Sequence, residues 1–264
     1  MPAANPGSKA GGATGTPAWE ALPRGPAAAT LTGFMSTLIC FALKDEAAPF
    51  HQAAARHPGV VTRVVGIGRA NAEQSVRRFL AAGGVPPQLV LTCGFAGGLN
   101  PDLKLGDVVF EIGTWRDEVH ASRTENQTGE LPGLPLRNRL LAAGARPVKF
   151  FCADRIATTA MDKWKLHLDT GADAVEMESA AIHAVCAEHN LPCVTVRVIS
   201  DTAHEDLPLD FNALARPDKS LDFGRLFLAI ARAPGKIGAL LELRGKTRLA
   251  ARRLAASLEQ IISP

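Results

Sequence analysis

Short apolar runs rich in β-branched residues recur along the chain, each closed by glycine, proline or a polar turn. "STLICFAL" (36–43), "VVTRVVGIG" (60–68), "QLVLTCGFAGGL" (88–99) and "PCVTVRVISD" (192–201) are nearly continuous rather than alternating. That pattern belongs to strands covered on both faces. "LGDVVFEIGTW" (105–115), "RPVKFFCADRIAT" (146–158) and "ADAVEM" (172–177) read as further strands. Helical periodicity takes over within 71–84, Met161–Thr170 and Glu178–Asn190, and the polar stretch from Arg116 to Gly133 reads as a surface loop. Strands alternating with helices predict an α/β fold with a parallel or mixed sheet flanked by helices.

In such sheets ligands bind beyond the carboxyl ends of the strands. That rule singles out "CGFAGGLN", "EMES" and "SDTAHED", each at a strand end, and Glu46, just past the first strand in "ALKDEAAPF". Asp201 has two readings: an N-cap for the next segment, or a partly buried carboxyl that keeps its proton and acts as a general acid. Glu178 is either a first-turn glutamate favoured by the helix dipole or an acceptor for adjacent sugar hydroxyls. Met177 is core filler or a cover for an apolar ring face. Glu176 acts nearby, through side chain or backbone. Glu46 is a solvated charge in "KDEAAP" or a fourth member of the same crevice.

Gly94, Phe95 and Ala96 lie in a glycine-rich loop whose backbone N–H groups an anion or a water can approach. Gly66, Gly68 and Arg69 in "GIGRA" make a weaker anion site, lacking the third glycine of a dinucleotide fingerprint.

Composition narrows the field. Of the 264 residues 47% are hydrophobic, enough for a sizeable core, and the formal charge is only +3. Tyrosine is absent and aromatics are 5%, which argues against the stacking surfaces that bind single-stranded nucleic acid. The five cysteines form no CxxC and read as reduced thiols, favouring a cytoplasmic compartment. No histidine spacing suits a metal, and no apolar run reaches the roughly 18–20 residues of a membrane span. Residues 1–34, rich in Pro, Gly and Ala, read as a disordered extension ahead of one α/β domain over 35–264.

"CGFAGGLNPDLKLGDVV", "ADAVEMESAAIHAVC" and "VTVRVISDTA" together resemble the nucleoside phosphorylase superfamily, specifically its methylthioadenosine/S-adenosylhomocysteine nucleosidase branch. The resemblance runs from about Thr37 to Asp206 and implies a single α/β domain whose twisted mixed sheet curls into a partial barrel. It also implies a homodimer or larger oligomer and no metal or cofactor. By that match Glu178 holds the ribose 2′ and 3′ hydroxyls, Met177 packs on the ring and Glu176 contributes locally. Asp201 protonates the purine at N7, Glu46 activates water, and the backbone around Ile156 reads the purine edge. The implied activity is hydrolysis of an adenosine-type nucleoside. Phe95 departs from the small hydroxylated residue usual there, which keeps a non-catalytic nucleoside-binding protein in view. Phosphorolysis is disfavoured because "LVLT" offers no arginine before the glycine loop.

From about 206 onward the chain carries helical segments broken at Pro234-Gly235. Between Arg225 and Arg253 stand eight Lys/Arg and one acid, Glu242. The plain reading is a helix pair with a solvated basic face. The sharper one is a basic amphipathic surface that meets anionic lipid, peripheral at the inner face of the membrane. "ISDTA…LP…PD…LD…RAP…ALLEL" is also similar to hopanoid-associated members of the superfamily, so an adenosyl-lipid is the alternative substrate.

Overall fold

Five consecutive buried residues make β1 (Thr37–Phe41), and nine make β8 (Cys193–Asp201). They form the centre of the sheet in a computed structural model that describes residues 36–112, 133–214, 216, 219, 228 and 231–263. These fall in one compact unit, 34–264. The expected extension over 1–34, the loop over 116–132 and most of 215–230 lie outside the described residues.

The other strands are β2 (Val60–Val64), β3 (Leu89–Gly98), β4 (Val108–Ile112), β5 (Arg146–Pro147), β6 (Phe150–Cys152) and β7 (Ala174–Glu176). The sheet runs β2-β1-β3-β8-β4-β5, with β7 and β6 attached beside β3. β2, β1, β3 and β8 are mutually parallel, and β4 runs antiparallel to β8, so the sheet is mixed. It stays open rather than closing into a barrel.

β3 is the strand on which the site depends. Its first half pairs with β1 as far as Cys93, and its last two residues, Gly97 and Gly98, pair antiparallel with β7. Between those two partners no strand among the described residues lies beside β3 on that edge. The other edge pairs with β8 throughout, with one irregularity: Ala96 faces Ile199 but Gly97 faces Asp201. Ser200 is therefore an extra residue on β8, a bulge of the kind that re-aims a side chain next to a functional site.

Period-2 alternation splits the core between the two faces. Leu38, Cys40 and Val90 pack under α3 (Arg69–Ala81) and α6 (Ser179–Glu188) through Ala72, Val76, Ile182 and Val185. Ile39, Phe41, Leu91, Cys93 and Val196 pack on the other face against Phe50, Leu140, Leu254, Leu258 and Ile261. The last three belong to α8 (Ile237–Ile262), whose second half is embedded while its first half is largely exposed. Each such side chain contributes about 1.5–3 kcal/mol by leaving water.

Several elements depart from the sequence expectation. After β1 the chain makes α1 (Lys44–Ala47), a 3₁₀ turn and α2 (His51–Ala55), none of them predicted. α4 (Gly133–Ala142) was also not expected. The run over 146–158 is two short strands with different partners, β4 and β7; Pro147 has no N–H to extend a ladder. α5 (Ala160–Thr170) starts at a capping box between Thr159 and Asp162 and stops at Gly171, whose φ is +61°. α7 is the short turn Phe211–Leu214. All five cysteines are free, four of them buried.

Candidate active site

Arg197, in the middle of β8, is wholly buried, and a guanidinium there requires partners. Its Nη2 donates to Glu176 Oε2 at 2.6 Å, to Thr92 Oγ1 at 3.1 Å and to Glu178 Oε2 at 3.4 Å. Its Nη1 donates to the Cys93 carbonyl at 3.1 Å. Arg197 Nε has no partner among the described residues. The sequence reading missed this residue, although a lone cation inside "VTVRVIS" was itself a signal that buried carboxylates stand nearby.

Glu176 ends β7 and organises the start of α6. Its Oε2 accepts from the Glu178 and Ser179 N–H groups at 2.9 and 2.8 Å, and its Oε1 from Ser179 Oγ at 2.5 Å. A carboxylate here satisfies N–H groups that the first helical turn leaves open. Burial opposes its charge, but Arg197 and these bonds outweigh burial and hold its pKa below the ordinary carboxylate range. Glu176 thus does more than contribute locally: it anchors Arg197.

Glu178 is also buried, and its Oε1 accepts from the Gly68 N–H at 2.8 Å. Burial pushes its pKa up, against the pull of Arg197. Met177, between the two acids, is half-buried.

Glu46 fills the gap beside β3. Its Oε1 accepts from the Phe95 N–H at 2.9 Å, where a neighbouring strand is missing, and its Oε2 from Leu43 N–H at 2.8 Å. It is 3% exposed, so it is not the solvated charge that "KDEAAP" also allowed. Burial raises its pKa to about 7, with Glu178 adding to the rise and Arg197 opposing it. Gly94 makes this meeting sterically open: a Cβ there would lie 2.6 Å from Arg197 Nη1 and 2.7 Å from Glu46 Oε1. Phe95 serves through its N–H, and the Ala96 carbonyl accepts from Ser200 Oγ at 3.3 Å.

Asp201 lies further along the same strand pair, beside Gly97. Its Oδ2 is 2.6 Å from Lys163 Nζ, and its Oδ1 accepts from Ser200 Oγ at 2.7 Å. Lys163 is wholly buried and also donates to the Thr202 and Glu205 carbonyls at 2.8 and 2.7 Å, using all three ammonium protons. The partly buried carboxyl expected to keep its proton at a strand tip is in the structure paired with a lysine. Lys163 escaped the sequence reading because α5 is inverted: Met161, Trp164 and Leu168 are 56–60% exposed while the lysine is inside.

At the anion site expected at Gly66, Gly68 and Arg69, Gly68 and Arg69 donate to groups of the chain itself. Gly66 and Gly68 adopt φ of +88° and +84° to start α3, but the Gly68 N–H faces a carboxylate. The Arg69 guanidinium turns to the Cys152 carbonyl and to Asp154. Ile156 lies after β6, on the border of a cavity of about 420 Å³ that none of the three acids Glu46, Glu178 and Asp201 lines. Among the described residues no group of His, Cys, Asp and Glu is placed to hold a metal ion.

An open mixed α/β sheet with acids gathered past its strand ends defines a class of proteins that bind small ligands at that edge. The chain belongs to the phosphorylase superfamily, whose family model matches residues 46–232. It is 30% identical over 168 residues to a 5′-methylthioadenosine/S-adenosylhomocysteine nucleosidase of Anoxybacillus flavithermus, covering 58% of this chain and 72% of that one. A protein of the same description from Oceanobacillus iheyensis is 30% identical over 172 residues, with the same coverage. Among solved structures, the Neisseria meningitidis nucleosidase of that description, in complex with methylthio-immucillin-A, superposes with a TM-score of 0.58 at 20% identity. That match covers 87% of this chain and 99% of the other. Futalosine hydrolase of Helicobacter pylori gives 0.58 at 18% identity, covering 86% and 97%. The likeness to these structures establishes the fold.

Proposed function

We propose that the chain is a purine nucleosidase that cleaves the N-glycosidic bond of an adenosine-type nucleoside by acid-assisted attack of water. One observation carries the reading: Glu46 and Glu178 converge on Arg197 at Gly94–Phe95, with Asp201 on the same strand pair at Gly97. The curated nucleosidase relatives support a small thioether substrate of the methylthioadenosine type.

Cleavage places positive charge on the ribose and electrons on the departing base. Asp201 passes to purine N7 a proton drawn from the Lys163 ammonium it faces, as the bond from C1′ to the base breaks. Glu46 takes a proton from the water whose oxygen bonds to C1′, which requires it ionised. Glu178 accepts from the 2′ and 3′ hydroxyls, Met177 covers the ring face, and the Ile156 backbone meets the purine edge. Glu176 holds Arg197 in place. Acid–base assistance contributes about 10²–10⁴-fold, and the rest comes from positioning and electrostatics.

The test is release of free base from methylthioadenosine, adenosylhomocysteine, inosine and an adenosyl-lipid, with and without phosphate. Base from the first two without phosphate is the expected result; base only with phosphate, or none, overturns it. Phosphorolysis has less support because the Gly68 N–H and Arg69 are already engaged. An adenosyl-lipid substrate has one observation of its own. Ile237, Leu241 and Leu249, at i, i+4 and i+12 of α8, are exposed beside Lys236, Arg244 and Arg248. Sedimentation with anionic vesicles, reversed by salt, favours that substrate. The reading includes a homodimer, in keeping with the exposed apolar stripe of α5, and a cytoplasmic location, at the inner face of the membrane if the substrate is a lipid.

A further inference from the structure

Both main-chain polar groups of Ile156 are taken by one side chain. The Ile156 N–H donates to Asn212 Oδ1 at 2.9 Å, and Asn212 Nδ2 donates to the Ile156 carbonyl at 2.9 Å. The partners fix which way the amide points, since a backbone N–H only donates and a carbonyl only accepts. Asn212 sits on α7 and borders the same cavity as Ile156, Asp154 and Thr158.

The carboxamide presents an acceptor beside a donor in one plane. The amidine edge of a 6-aminopurine presents the same pair: ring N1 accepts and the exocyclic amine donates. A 6-oxopurine reverses it, offering a donor at N1 and an acceptor at O6. We propose that Asn212 is a built-in plug of the base-edge site, holding the Ile156 pair closed until a base with the matching edge replaces it.

This rests on the reading that Ile156 meets the purine edge. The exchange breaks two hydrogen bonds and makes two, so the correct base gains little affinity from them. A base of the wrong polarity leaves the freed N–H and carbonyl facing a like group, the costly case for partly buried polar atoms. Rejection of the wrong base comes from the Ile156 pair, and Asn212 raises the concentration needed by any base that must displace it.

The test titrates adenine and hypoxanthine into the full-length chain and its Asn212→Ala variant. Affinity is read by calorimetry and the Ile156 amide by ¹⁵N NMR. Adenine is expected to shift the Ile156 amide and to bind the variant roughly tenfold more tightly, the worth of about one neutral hydrogen bond. Hypoxanthine should bind both proteins less tightly than adenine. Equal adenine affinity in both proteins, with the Ile156 amide still shifted, overturns the role of Asn212 and leaves the base-edge reading standing. Adenine that binds without moving that amide, or does not bind, overturns both. Should Asn212→Ala fail to fold, Asn212→Asp keeps the acceptor for the Ile156 N–H and removes the donor to its carbonyl. It should give a smaller gain for adenine, and no gain counts against the proposal.

Discussion

Two buried cations stand at the site, and they are supplied differently. Arg197 faces Glu176 and Glu178 directly, with Glu46 close enough to feel its charge, so one positive group serves three carboxyls. Lys163 faces one carboxylate and two carbonyls, and every proton it carries has an acceptor. The first arrangement has a surplus of negative charge. It settles the charge on Glu176 and leaves Glu46 and Glu178 with raised affinity for protons. The second is matched one to one and holds a strand end and the adjoining loop in a set position. The surplus of negative charge thus lies at the middle of β8 and the matched pair at its end.

The largest effect should come from the surplus end. Glu46→Gln is expected to lower turnover by about 10²–10⁴-fold in the base-release assay. In the wild type the acidic limb of the pH–rate profile should lie near pH 7, where Glu46 ionises, with activity rising as pH rises. A limb unchanged in the variant would remove Glu46 from that role. Glu46 also carries a stability consequence. Its folded pKa is raised, so its contribution is fully present below the unfolded value near 4.5 and is lost as pH rises through about 7.

Next is Arg197→Met, which leaves three carboxyls around a neutral side chain. Chemical denaturation should give a loss at the upper end of about 3–5 kcal/mol at pH 8, recovering in part near pH 6 as the carboxyls take up protons. Lys163→Met leaves one carboxylate, and its loss should lie at the lower end of the same range of about 3–5 kcal/mol. Adding Asp201→Asn should restore part of that stability and none of the activity. The smallest effect belongs to the outer side of α5: Trp164→Ser should change monomer stability by no more than about 0.5 kcal/mol. A larger loss would place the tryptophan in the core after all.

The strands that proved legible, β1, β3 and β8, are buried on both faces, and burial on both faces leaves an unbroken apolar run. "EME" stands out for the related reason that acids seldom interrupt a buried segment without partners, and here both acids meet Arg197. The counter-ions were not. Lys163 is a polar residue on a helix whose apolar side chains face solvent, and periodicity alone assigns it outward. The pairing of Glu46 with the Phe95 N–H depends on β1 and β7 leaving a gap along β3, a fact of register between segments far apart in the chain. α1 and α2 are only four and five residues long, too short for a helical period to emerge.

The extra residue in β8 limits which changes this chain can accept. With Ser200 between them, Ile199 and Asp201 advance only one position along β3. Remove it and the ladder would run unbroken past Gly97, without the local bend that aims the acid towards its lysine. The machinery is thus specified partly by a count of residues, and a one-residue deletion here should be less forgivable than most replacements of the side chain itself.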